Sequence, residues 1–116
     1  MAKRNYPEDN LQITVARYLD YNSLLWCHVA NERKTSEAQG RRLKAKGVKS
    51  GVPDCMIFNT NSIYNGLAIE LKIKPNKTSD NQKQWLESLK KQGWLTCVCY
   101  CIDDVVNAVS DYLKTK

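Results

Sequence analysis

Residues 51–74 read GVPDCMIFNTNSIYNGLAIELKIK, and the charges in this stretch determine how the rest of the chain is read. Cys55, Met56, Ile57 and Phe58 form one apolar run, and Leu67, Ala68, Ile69, Leu71 and Ile73 another. Each has the length and composition of a buried strand. The segment between them, NTNSIYNG, is rich in Asn and ends in Gly, which favours a chain reversal and hence a hairpin. Asp54 opens the first strand, while Glu70 and Lys72 interrupt the second. Taking a lone charge out of water is expensive unless it is paired or bound to an ion.

Alternation along a strand sends Glu70 and Lys72 to one face and Ile69, Leu71 and Ile73 to the other. Asp54, at the start of the partner strand, is placed to lie across from them. One account is a structural salt bridge between Lys72 and either acid. The other is a divalent cation, since Mg²⁺ takes one or two protein carboxylates together with water and phosphate oxygens. Asp54 and Glu70 supply the carboxylates, and Lys72 then lies beside a metal-bound water or the attacked phosphate. A metal so placed stabilises charge on phosphoryl oxygens and acidifies the nucleophilic water. That chemistry is phosphodiester hydrolysis.

Working outward, the spacing of Leu11, Val15, Tyr18 and Leu19 after Pro7 predicts a first helix ending near Tyr21. SLLWCHVAN predicts a first strand, followed by a basic loop. TSDNQKQWLESLKKQG predicts a helix capped at Thr78 or Ser79, with Trp85, Leu86 and Leu89 as its apolar stripe and Gly93 as its stop. WLTCVCYC is a fourth strand. DDVVNAVSDYLK is a last helix, capped at Asp103 or Asp104, with Val105, Val106, Val109, Tyr112 and Leu113 inward. The helix between the third and fourth strands allows a parallel crossover, so the fold class is α/β, a mixed sheet flanked by helices.

Two more polar residues fall on inward stripes. Gln82 precedes Trp85, Leu86 and Leu89 at helical spacing, although as the third residue after Ser79 it also fits a capping box. Glu8 precedes Leu11 and Val15, in a first turn where the helix dipole favours an acid in any case. Between Arg33 and Lys49 the chain carries Arg33, Lys34, Arg41, Arg42, Lys44, Lys46 and Lys49 against the single acid Glu37, out of a net charge of +6. Such a run suits a polyanion, and Arg41, Arg42, Lys44, Lys46 and Lys49 are the candidate DNA contacts.

The 116 residues are enough for one domain and a real core, and 42% hydrophobic residues exclude wholesale disorder. No apolar run approaches the roughly 18 residues of a membrane span. The charged N-terminus MAKRNYPEDN has no secretory pattern. Five cysteines, an odd number without a disulfide framework, fit reduced thiols packed as small hydrophobes in the cytosol. CVCYC leaves a zinc-stabilised interaction domain as an alternative. The lone His28 is read as a core or edge residue, since a second histidine is lacking.

Pro53-Asp54 followed by Glu70-Leu71-Lys72 resembles the signature of the PD-(D/E)XK nucleases, whose αβββαβ core has this element order. More narrowly, GVPD, IELK and the Gln82–Gly93 helix resemble the virus-type replication-repair nuclease (VRR-Nuc) domain, over nearly the whole chain from PEDNLQ to Gly93. The resemblance implies a restriction-endonuclease-like fold over a single domain, residues 1–116. It implies that Asp54, Glu70 and the Leu71 carbonyl bind Mg²⁺ or Mn²⁺ and that Lys72 orients or activates water. Gln82 then supports the site and Glu8 is the helix-one acid, a role for which Asp9 and Gln12 compete. The expected partner is DNA, and the expected setting is a standalone domain in a bacterial or phage-infected cytoplasm. One site per chain acts on one strand, so a homodimer cutting four-way junctions is expected, with Trp26, Tyr64 or Trp94 at its interface. A flap or general nuclease of the same fold and a non-catalytic nucleic-acid-binding module are the alternatives.

Overall fold

The computed structural model describes residues 7–30 and 36–115. In chain order the elements are α1 (Pro7–Tyr21), β1 (Trp26–His28), α2 (Glu37–Ala45), β2 (Cys55–Ile57), β3 (Gly66–Leu71), α3 (Asp80–Lys91), β4 (Trp94–Cys99) and α4 (Ile102–Lys114). The four strands form one sheet in the order β1-β2-β3-β4. β2 and β3 are the expected antiparallel hairpin, β1 pairs antiparallel with β2, and α3 carries the chain across to a parallel β4.

β3 is buried along its whole length because both of its faces are covered. On one face Leu67, Ile69 and Leu71 join Cys55, Ile57 and Cys99 in a core closed by Val15 and Leu19 of α1 and by Val105, Val109 and Tyr112 of α4. The other face carries Ala68 and Glu70, and there α3 is the covering helix, through Gln82. At the start of β3 the Trp94 ring occupies the space where a side chain on Gly66 would project, so only glycine permits this approach. Phe58 meets the same ring edge-on, with centroids 5.8 Å apart.

Several expectations need correction. The basic segment is not all loop, because Glu37–Ala45 form α2. Ser36 caps it by accepting from the Gln39 N–H, Glu37 sits in the first turn, and Arg42 and Lys44 complement the dipole in the last. It ends in a Schellman motif: Gly47, at φ +101°, donates to the Lys44 carbonyl and Val48 to that of Leu43. Arg33 and Lys34 lie outside the described residues. The N-cap position of α4 is Cys101, which makes no side-chain cap bond, rather than Asp103 or Asp104, and Asp104 instead accepts from the Tyr100 N–H. Leu113 is exposed, and Trp85 and Leu86 are only half-buried, leaving Leu89 as the buried member of the α3 stripe.

Cys97 and Cys99 pack within the sheet with sulfurs 3.8 Å apart, whereas Cys101 lies beyond the strand and is exposed. Among the described residues no three His, Cys, Asp or Glu side chains cluster to hold a metal by themselves, which leaves CVCYC without a zinc site there. Trp26 and Tyr64 pack against the core and Trp94 against Gly66, and all three remain partly exposed. No helix among the described residues is long and apolar enough to cross a membrane.

Candidate active site

The β2–β3 register pairs Cys55 with Ile69, and one step further along the same ladder Asp54 falls opposite Glu70. The hairpin alone therefore brings the two acids together. Asp54 is held from both sides. Its carboxylate Oδ2 accepts from the Leu71 N–H at 2.7 Å. Its carbonyl accepts from the Val29 N–H at 2.9 Å and from His28 Nδ1–H at 2.8 Å. The edge strand β1 thus fixes the backbone that presents the acid.

Glu70 is only 2% exposed. Gln82 Nε2 donates to its Oε1 at 3.0 Å, while Gln82 Oε1 accepts from the Ser79 N–H at 2.8 Å. Both expected placements of Gln82 meet in one side chain: it closes the capping box of α3 and its amide faces inward to the buried acid. Glu70 Oε2 is buried with no hydrogen-bond partner. Burial first, then the charge of the neighbouring Asp54 and a hydrogen bond to it from the protonated acid, push the Glu70 carboxyl up to about 8 against the smaller opposing pull of Lys72.

Lys72 lies one residue past the end of β3, where its N–H continues the ladder by donating to the Cys99 carbonyl at 3.0 Å. Among the described residues the ion pairs are Arg41–Glu37 and Lys90–Glu87. The structural salt bridge between Lys72 and Asp54 or Glu70 is therefore not formed. Glu8 is exposed on the first turn of α1 and acts on Glu70 through space rather than by a hydrogen bond. With Asp9, Gln12, His28, Asp54 and Leu71 it lines a cavity of about 260 Å³.

A divalent cation fits this donor set. An unpartnered buried carboxylate oxygen beside a second carboxylate is the arrangement that a cation relieves, and Mg²⁺ needs no third protein acid because water and substrate oxygens complete its shell. His28 was not legible as a wall of this cavity. Its placement depends on the His28–Cys55 pairing of β1 with β2, one residue from Asp54, and no local pattern encodes that pairing.

The sequence pattern that defines the VRR-NUC domain matches residues 6–102. The chain belongs to the VRR-NUC family. It is accordingly a nuclease domain of the PD-(D/E)XK type. A solved structure described as a VRR_NUC domain protein is similar to this VRR-NUC chain with a TM-score of 0.77 and 27% identity, over 97% of this chain and 92% of that one. A comparison with curated proteins finds no match. In this VRR-NUC domain the hairpin with both acids and the α3 helix with Gln82 lie inside the matched segment, as does α2, the centre of the basic surface.

Proposed function

We propose that residues 1–116 form one nuclease domain acting as a Mg²⁺- or Mn²⁺-dependent DNA endonuclease. The observation that carries this reading is the unpartnered, buried Glu70 Oε2 opposite Asp54. Asp54, Glu70 and the Leu71 carbonyl are the groups that would hold the cation. When bound, the metal supplies Lewis-acid stabilisation of phosphoryl charge and a more acidic water. The protein's own groups do the rest. Gln82 fixes the rotation of the Glu70 carboxylate, and the Leu71 N–H fixes that of Asp54. Lys72, unpaired among the described residues, is available to hold the attacking water or the phosphate oxygens. Glu8 stands at the rim of the cavity as the helix-one acid.

Arg41, Arg42, Lys44, Lys46 and Lys49 are all exposed on α2 and the turn that follows, from which the chain leads directly into Gly51–Asp54. They are the proposed phosphate contacts. Because one chain offers one such set of acids, paired incision of two strands needs two chains in fixed relation. The finer reading is a homodimer that resolves four-way junctions in the cytoplasm. The test incubates labelled linear, flap, splayed and four-way DNA with Mg²⁺ or Mn²⁺, using Asp54→Asn as the control. Cutting of the junction in preference to the others, abolished by chelator and by the substitution, is the expected result. No cutting of any DNA overturns the enzyme reading, and equal cutting of all forms overturns the junction preference alone.

A further inference from the structure

A second cavity, of about 310 Å³, opens between the end of α2 and the first turns of α3, lined by Lys44, Val48, Lys49, Ser50, Asn81, Gln84 and Trp85. Three features set it apart from ordinary surface. Trp85 does not pack against the hydrophobic core; it walls this cavity and a neighbouring one with Gln84 and Ser88. Lys44 and Lys49 bring two cations without an acid partner among the described residues. The floor is also locked in place. Asn81 Nδ2 donates to Ser50 Oγ at 2.9 Å, and Gly51, at φ +87°, lies so close that an added Cβ would sit 2.7 Å from the Asn81 carbonyl carbon.

An indole side chain that lines a cavity together with two unpaired cations is the chemistry that holds a nucleotide whose base is free to stack. The cavity is tied to the acids by two short links. Asn81 lines it while the next residue, Gln82, binds Glu70. Ser50 is joined to Asp54 by four peptide steps, no more than about 14 Å of extended chain. That span is short enough for one DNA strand of a few nucleotides to reach both sites.

We propose that this cavity is a subsite for one unpaired nucleotide of the DNA substrate, with Trp85 stacking on its base and Lys44 and Lys49 holding the flanking phosphates. The inference rests on the nuclease reading and adds to it that the enzyme selects DNA in which a base next to the cut is free to leave its pair, as at the branch point of a junction or in a single-stranded tail. A fully paired base presents no face to Trp85, so the subsite discriminates against continuous duplex.

The test measures fluorescence anisotropy of a labelled duplex with a short single-stranded tail, in chelator so that nothing is cut, and walks an abasic residue through the tail. One tail position is expected to lose about tenfold or more in affinity when its base is removed. Trp85→Leu brings the ratio between the intact and abasic DNAs to about one, and Trp85→Phe keeps most of it. Lys44→Gln and Lys49→Gln each lower the slope of log affinity against log salt by somewhat less than one. A ratio near one at every position for the parent protein overturns the subsite even if Trp85→Leu fails to fold, and so does an unchanged ratio in folded Trp85→Leu. Cleavage of the same DNA by the parent with Mg²⁺ or Mn²⁺ separates the two readings. Cutting without a base-dependent ratio leaves the nuclease and removes the subsite, whereas the ratio without cutting does the reverse.

Discussion

Glu70→Gln is expected to stabilise the metal-free protein at neutral pH while removing its activity. Glu70 is buried, one of its oxygens has no partner, and its carboxyl is raised from 4.5 to about 8 by burial and by Asp54. An acid raised on folding stabilises the native state fully below its unfolded value, and that contribution is lost as pH rises through the folded value. From pH 4.5 to pH 7 this spans about two and a half pH units at about 1.4 kcal/mol each, so the penalty at pH 7 is about 3 kcal/mol. Glutamine mimics the protonated acid, because its carbonyl can still accept from Gln82 Nε2 while its amide can donate towards Asp54. Urea unfolding in chelator from pH 5 to pH 8 should show the parent falling relative to Glu70→Gln by about 3 kcal/mol over this range. Added Mg²⁺ should recover stability in the parent and not in the variant. Parallel stability curves from pH 5 to pH 8 would refute the strained carboxylate pair, and with it the argument that a cation relieves it.

Four further outcomes follow from the same geometry. Lys72→Met should lose cleavage but keep divalent-ion binding in calorimetry, whereas Glu70→Ala should lose both; near-parental cutting by either variant means the site is misassigned. Replacing Arg41, Arg42, Lys44 and Lys46 together by Glu should weaken DNA binding across sequences and flatten its salt dependence by about 0.9 per lost contact, and an unchanged slope would remove α2 from the interface. Gly51→Ala should destabilise by about 1–3 kcal/mol in urea titration, because φ +87° and the Asn81 backbone both resist a Cβ; wild-type stability would show that this turn relaxes freely. Light scattering should find a dimer that cuts an immobile four-way junction faster than a linear duplex of equal length, and a strict monomer cutting both equally would remove the junction reading.

The hairpin and the opposition of Asp54 to Glu70 were legible in residues 51–74, because strand alternation and a turn-forming linker are local properties. Gln82 was legible twice over, as a cap residue and as an inward amide, and the structure uses both ends of the one side chain. α2 carried its own signals in Ser36, Glu37 and Gly47, but its run of cations drew attention to charge and away from capping. Helical spacing assigned Trp85 to the core stripe because periodicity marks a direction and not what lies there; only the packing of α3 on the sheet shows Leu89 buried and Trp85 left over a cavity. Sequence alone determined which residues could share a face, since that depends on backbone period. Tertiary structure decided what each face meets. The β1–β2 register set His28 beside Asp54, and burial with no partner left Glu70 Oε2 as the strained group, because pairing across strands and exclusion of water depend on residues far apart in the chain.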